Sequence, residues 1–184
     1  MNLELTETGF DGLKLIKPEV YGDARGYFLE SFNIDSFKKA GISFTPVQDN
    51  ESRSVQGVIR GLHYQLKPHE QAKLIRVIEG RIYDVALDLR KSSSTFGKWF
   101  GVELDSVNKM QLFIPKGFAH GFSVLSNIAV IQYKVDNLYN GKSERGIDLN
   151  DPELDIKWGL GNLTPVISDK DRLNPVFREA EKNF

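Results

Sequence analysis

The chain has 184 residues, 40% of them apolar, which is enough for one sizeable core within the ~100–200 residues usual for a single domain. Lysine and arginine number 24 against 25 aspartates and glutamates, a net charge of −1 that argues against coating nucleic acid or an anionic membrane. Cysteine is absent, which excludes disulfides and thiolate chemistry and fits a reducing, cytoplasmic setting; no apolar run reaches ~18 residues, and the opening MNLELTETGF has neither the basic nor the apolar part of a secretory signal.

The predicted elements are mostly short strands. Leu13–Lys17 and Gly26–Phe32 read as strands, and Asn33–Ala40 (NIDSFKKA) as the one clear helix, with Asn33 or Asp35 to cap its start and Gly41 to end it. Val58–Leu66 (VIRGLHYQL) reads as a strand, although it carries Arg60 and His63. Further strand signals follow at spacings of roughly 8–12 residues: Leu74–Glu79, Ile82–Arg90, Lys98–Leu104, Gln111–Pro115, Gly121–Leu125 and Ala129–Asp136. In Ile82–Leu89, alternation puts Tyr83, Val85, Leu87 and Leu89 on one side and Ile82, Asp84, Ala86 and Asp88 on the other. From Asn150 the chain is richer in Pro, Asp and Gly and is expected to wrap the strands with loops and a short helix. The fold class is therefore mainly β, a sandwich or barrel with short flanking helices, for which a jelly roll is a common solution. No repeat or linker divides it, so residues 1–184 read as a single domain.

Histidine chemistry has three candidates, His63, His69 and His120. A lone strand histidine is more often a satisfied core group than a functional one. The second histidine shifts that balance. In IPKGFAHGF, Pro115 and Gly117 form a turn that delivers His120 into the next strand, and P-x-G-x-x-H resembles the second half of the cupin pattern. His69, in KPHEQ, reads as a solvated loop residue. Metal sites need three or four ligands, often with an H-x-H pair. The run His63-Tyr64-Gln65 lacks the second histidine, so a metal-free pocket is expected. Acid–base work is the alternative. Neutral imidazole takes a proton near pH 7 when a carboxylate fixes its tautomer, and Asp84 and Asp171 are both candidates for that carboxylate. Lys73 opens a strand and is placed either to face the lumen, where a cation steadies an enolate, or to sit solvated at the strand end. Tyr133, in VIQYKVD, is either a proton donor or a core phenol.

These residues belong to a longer set of ordered motifs: PEVYGDARGYFLESFN (18–33), FTPVQDNES (44–52), VIRGLHYQ (58–65), AKLIRVIEGRIYDVALDLRKSSSTFGKW (72–99), FIPKGFAHGF (113–122), YKVDNLY (133–139), LNDPELDIKW (149–158) and SDKD (168–171). Over nearly the whole chain the sequence resembles the dTDP-4-dehydrorhamnose 3,5-epimerases, metal-free cupins of dTDP-L-rhamnose synthesis. The resemblance implies that His63 is the base, with Asp171 as its dyad partner. Tyr133 is then the acid on the other face of the sugar, and Lys73 stabilises the enolate with His120 near the sugar. It implies that Arg60, Gln48 and Asn50 bind sugar and diphosphate, that Glu144 and Lys170 are further binding positions, and that Tyr139 stacks on thymine. Arg25 and Glu30 match positions that reach the nucleotide across a subunit interface, and the implied assembly is a homodimer. No cofactor is implied, because the reaction has no net redox change. Two positions depart from the pattern: Ala72 stands where glycine is usual, and Leu138 replaces an aromatic before Tyr139. Related proteins that epimerise C3 alone, 3,4-ketoisomerases of a related dTDP-ketosugar, and a non-catalytic sugar-binding cupin are the rival readings.

One expectation is purely geometric. Arg60 and His63 differ by an odd number of residues, so a regular strand sends them to opposite faces. If both serve one ligand, either Gly61 marks a bulge or twist, or Arg60 curls over the rim.

Overall fold

The computed structural model describes residues 3–184. In chain order the strands are β1 (Leu3–Glu7), β2 (Lys14–Pro18), β3 (Tyr21–Asp23) and β4 (Gly26–Phe28), followed by helix α1 (Ile34–Lys39). Then come β5 (Gln48–Val55), β6 (Ile59–Gln65), β7 (Lys73–Glu79), β8 (Arg81–Asp88), β9 (Trp99–Asp105), β10 (Gln111–Ile114), β11 (Phe118–Val124), β12 (Ile128–Val135) and β13 (Glu144–Gly146), and a short α2 (Asp169–Arg172). Two sheets carry the architecture. One runs β1-β2-β10-β7-β12-β5, the other β13-β6-β11-β8-β9, and β3 pairs only with β4. Every ladder is antiparallel. This is the mainly β architecture expected from the strand spacing, in the cupin-like jelly-roll form that the resemblance implied.

Apolar residues sort into three layers. Ile75, Val77, Leu112 and Ile131 from the six-stranded sheet meet Ile82, Ala86, Leu104 and Phe122 from the other, filling the space between them. On the outer face of the five-stranded sheet, Leu62, Tyr64, Val85, Leu87 and Leu89 are covered by Leu154, Ile156, Trp158, Phe177 and Ala180 of the C-terminal segment. On the outer face of the other sheet, α1 lays Phe37 over Ile16, Leu74 and Phe113. The alternation read in Ile82–Leu89 therefore separates two buried faces, one toward the lumen and one beneath the tail.

The helix starts where expected: Asn33 accepts from the Ser36 amide, and Gly41 follows its end with φ 79°. The run Gly26–Phe32 stops being a strand at Phe28, since its sole partner is the three-residue β3. Conversely, β11 begins at Phe118, so His120 lies inside the strand and not at its start. The edge strand β5 escapes a reading based on hydrophobic alternation because its sequence, QDNESRSV, is polar on both faces. Among the described residues no helix is long and apolar enough to cross a membrane.

Candidate active site

Strand β6 supplies His63, and its geometry answers the parity problem. Against β11, His63 pairs with His120 while Arg60 pairs with Phe122, so two residues of β6, Gly61 and Leu62, oppose one of β11, Gly121. That is a β-bulge, which re-aims the side chains beyond it. It sits where two glycines touch. Gly61 has φ 135°, and a Cβ there would lie 2.5 Å from Gly121 Cα; a Cβ on Gly121 would lie 2.8 Å from the Arg60 carbonyl oxygen. The peptide bond after Gly61 is cis. With the extra residue absorbed, Arg60 and His63 line the same cavity.

That cavity measures about 520 Å³, and both sheets wall it. His63 and His120 project from the five-stranded sheet, Lys73 and Tyr133 from the facing one. A second cavity of about 320 Å³ holds Gln48, Asn50, Tyr139 and Glu144 and shares His63, Lys73 and Tyr133 with the first. These three side chains therefore stand at the junction of the two spaces.

The histidines have different carboxylates. His63 Nε2 donates to Asp171 Oδ1 at 2.6 Å, and His120 Nε2 donates to Asp84 Oδ1 at 2.6 Å. Of the two candidates for the His63 partner, Asp171 occupies the position and Asp84 belongs to His120. Because a carboxylate only accepts, Nε2 of His63 carries the proton and Nδ1 of the neutral ring keeps its lone pair. Asp171 is delivered by α2, whose cap is Ser168: its Oγ accepts from the Asp171 amide at 3.1 Å. Burial pushes the Asp171 carboxyl up, but the hydrogen bond and charge of His63, with Ser168 and the Gly61 backbone, outweigh it and hold the group below the usual carboxylate range.

Lys73 is 9% exposed, and its Nζ reaches the His63 carbonyl at 3.5 Å. Burial pulls its ammonium down to about 8, against the opposing pull of Asp84 and Glu144. Asp84 is fully buried and keeps one oxygen, Oδ2, without a hydrogen-bond partner. His120 is lowered by burial and by Lys73, despite Asp84. Tyr133 is raised, first by burial, so its phenol stays protonated across the neutral range.

At the rim, Tyr139 Oη and Lys170 Nζ both donate to Glu144 Oε2, at 2.8 and 2.5 Å. Gln48 donates to Asn50 Oδ1 at 2.8 Å and accepts from the Tyr139 amide. Arg60 is held by Ser54 Oγ at 3.0 Å. Arg25 and Glu30 are not brought to this cavity: Arg25 lies on the exposed β3–β4 hairpin against Asp23, and Glu30 accepts from Asn33 beside α1. His69 contacts Asn140 away from both cavities. The sequence reading missed Ser52, Val58, Phe122, Val166 and Ile167 in the cavity wall. The first of these was findable, since Ser52 shares a strand face with Gln48 and Asn50.

Among the described residues no three histidines or carboxylates converge as a metal-ligand set. Fold and site together define a cupin-like jelly roll whose lumen opposes a carboxylate-held imidazole to a phenol, with a buried lysine between the sheets. The chain belongs to the dTDP-4-dehydrorhamnose 3,5-epimerase family, a family of isomerases whose profile matches residues 7–179. It is 48% identical to a dTDP-4-dehydrorhamnose 3,5-epimerase of Shigella flexneri over 97% of this chain and 98% of the relative. A Methanothermobacter thermautotrophicus protein of the same description is 50% identical over 94% of each chain. Among solved structures, dTDP-6-deoxy-D-glucose-3,5-epimerase from Legionella pneumophila in complex with dTDP-4-keto-L-rhamnose superposes with a TM-score of 0.93 at 46% identity, covering 97% of this chain and 94% of the other.

Proposed function

We propose that this protein epimerises C3 and C5 of dTDP-4-dehydro-6-deoxy-D-glucose, giving dTDP-4-dehydro-L-rhamnose for dTDP-L-rhamnose biosynthesis. The observation that carries the reading is the pairing of His63 with Asp171 opposite Tyr133 in one cavity. The C4 ketone acidifies the hydrogens on both C3 and C5. His63 takes each proton in turn, and Asp171 stabilises the imidazolium that forms. The charge that develops on the C4 oxygen is met by Lys73, with His120 beside it, in a site where poor solvation strengthens the interaction. Tyr133 then delivers a proton to the opposite face of the carbon, which inverts it, and before the second turn His63 gives its proton to solvent while Tyr133 takes one back.

Arg60, Gln48, Asn50, Glu144 and Lys170 serve the sugar and diphosphate, the arginine fork suiting phosphate oxygens, and Tyr139 stacks on the thymine. Arg25 and Glu30 act from a second copy of the chain in a homodimer. What supports this is the hairpin that carries Arg25, where Tyr21, Tyr27 and Phe28 are 54%, 58% and 65% exposed; apolar surface of this kind marks an interaction site. In this reading residues 1–184 form one cytoplasmic epimerase domain that needs no cofactor.

The test is NMR of the nucleotide sugar incubated with the protein in deuterated water. Deuterium at both C3 and C5 with inversion at each supports the reading. Deuterium at C3 alone assigns a C3 epimerase, migration of the ketone a ketoisomerase, and binding without exchange a non-catalytic sugar-binding protein.

A further inference from the structure

The inward face of β5 carries a row of polar residues, Gln48, Asn50, Ser52 and Ser54, in the period-two register of a strand. Three of them are engaged. Gln48 bonds Asn50 and the Tyr139 amide, and Ser54 accepts from Arg60. Ser52 is the exception: its Oγ is shielded from solvent and has no hydrogen-bond partner, yet the residue lines the larger cavity. Buried hydroxyls are nearly always paired, so an unpaired one at a cavity wall calls for a partner from the cavity. The pairing register places Ser52 opposite Ile131, next to the Tyr133–Asn50 pair on the same face. Arg60, Lys73 and Lys170 line the same space, which gives it three cationic side chains.

We propose that Ser52 is a further ligand-binding residue of this site, its hydroxyl donating to a diphosphate oxygen of the nucleotide beside Arg60. The assignment rests on the reading of the cavity as a nucleotide-diphosphate-sugar site. A hydroxyl suits the place because it donates to phosphate without adding charge to a lumen that already holds Lys73 and Arg60. The Oγ is turned away from the cavity in the empty protein, so the bond forms by rotation about χ1 of Ser52, which satisfies the hydroxyl when the site fills.

The experiment is calorimetric titration with dTDP, paired with thermal melts of the ligand-free proteins. Ser52→Ala is expected to weaken dTDP binding about tenfold, in line with losing one charge-assisted hydrogen bond, and to raise the KM for the nucleotide sugar with kcat within about twofold. Its ligand-free melting temperature is expected to be unchanged or higher, because no bond is lost in the empty protein. Ser52→Thr, which keeps the hydroxyl on a residue that strands favour, is expected to bind dTDP within about threefold of the parent. Unchanged dTDP affinity in the alanine variant overturns the proposal, including the case in which only the KM for the sugar rises, which moves the contact to the hexose. A lowered melting temperature, or equal weakening in the alanine and threonine variants, makes Ser52 a packing residue and overturns it as well. If the parent protein itself fails to bind dTDP, it is the reading of the whole site that falls.

Discussion

Arg60 and His63 stand three residues apart on one strand and open into the same cavity, because between them two residues of β6 oppose one of β11. At this odd spacing a regular, unbulged strand would send the guanidinium and the imidazole to opposite sides of the sheet. The bulge exists because Gly61 and Gly121 approach more closely than any side chain permits. Two glycines thus put a guanidinium and an imidazole within reach of one ligand.

The close approach leads to the first prediction. Gly61→Ala must place a Cβ 2.5 Å from the Gly121 Cα on a backbone with φ 135°. Neither neighbour is a flexible side chain, so the strand has to shift. We expect a loss of about 2–3 kcal/mol or more in urea unfolding and a fall in kcat/KM larger than any drop in folded fraction accounts for. A variant less than about 1 kcal/mol destabilised and fully active would show that the bulge is not what aims Arg60 and His63.

The dyad makes the second. Asp171→Asn keeps the shape but removes the charge that stabilises an imidazolium and lets the ring turn its wrong nitrogen to the substrate. A fall in kcat of about 10²–10⁴-fold is expected, by analogy with carboxylate-to-amide changes in catalytic triads. His63→Ala should abolish solvent exchange at both C3 and C5 while circular dichroism stays native. Exchange surviving at either carbon would require a second base.

Tyr133 faces the dyad from the other sheet. Removing its hydroxyl in Tyr133→Phe leaves the proposed base, His63, and Lys73 in place. Deuterium should still enter the substrate from solvent, while inversion at C5 is lost; NMR of the recovered nucleotide sugar separates the two. Full epimerase activity in this variant would assign the acid elsewhere.

Lys73 links activity and stability through pH. Its ammonium is held down to about 8 by burial, whereas the unfolded chain keeps it near the ordinary lysine value of 10.5. Between those values the unfolded state binds more protons, so stability rises with pH through this window. Below it, the buried charge is a cost of at most about 3 kcal/mol. Lys73→Met is therefore expected to melt higher than the parent at pH 7, with the gap closing above about pH 10. The same variant should lose activity. In the parent, kcat/KM should decline as pH rises through about 8, where the free protein loses the charge that meets the enolate. An alkaline limb that survives in Lys73→Arg at the same pH would point to another group.

Because a proton relay needs no Lewis acid, dialysis against a chelator should leave the epimerase rate unchanged. A rate that falls with EDTA and returns on adding zinc or iron would refute the metal-free chemistry.

Much of this was legible in the sequence because it depends on local chemistry. Alternation in Ile82–Leu89 marked two buried faces, Asn33 marked the start of α1, and Pro115 with Gly117 marked the turn ahead of the strand that carries His120. The polar strand β5 was missed for the complementary reason: it borders a wet cavity and a free edge, so no apolar pattern announces it. The residue types for base, acid and cation were likewise visible, since they follow from what imidazole, phenol and ammonium do with protons. Which carboxylate each histidine took was not visible in the residues themselves, although the family resemblance implied Asp171 for His63. Asp84 and Asp171 were equivalent as letters, and only the packing of α2 against β6 gave Asp171 to His63 and left Asp84 to His120. Likewise the odd spacing of Arg60 and His63 is fixed by sequence, but their common face came from a bulge, and a bulge is set by how closely two strands pack. Side-chain identity is a one-dimensional property, while distance between groups 36 or 108 residues apart is decided by the way two sheets close on each other.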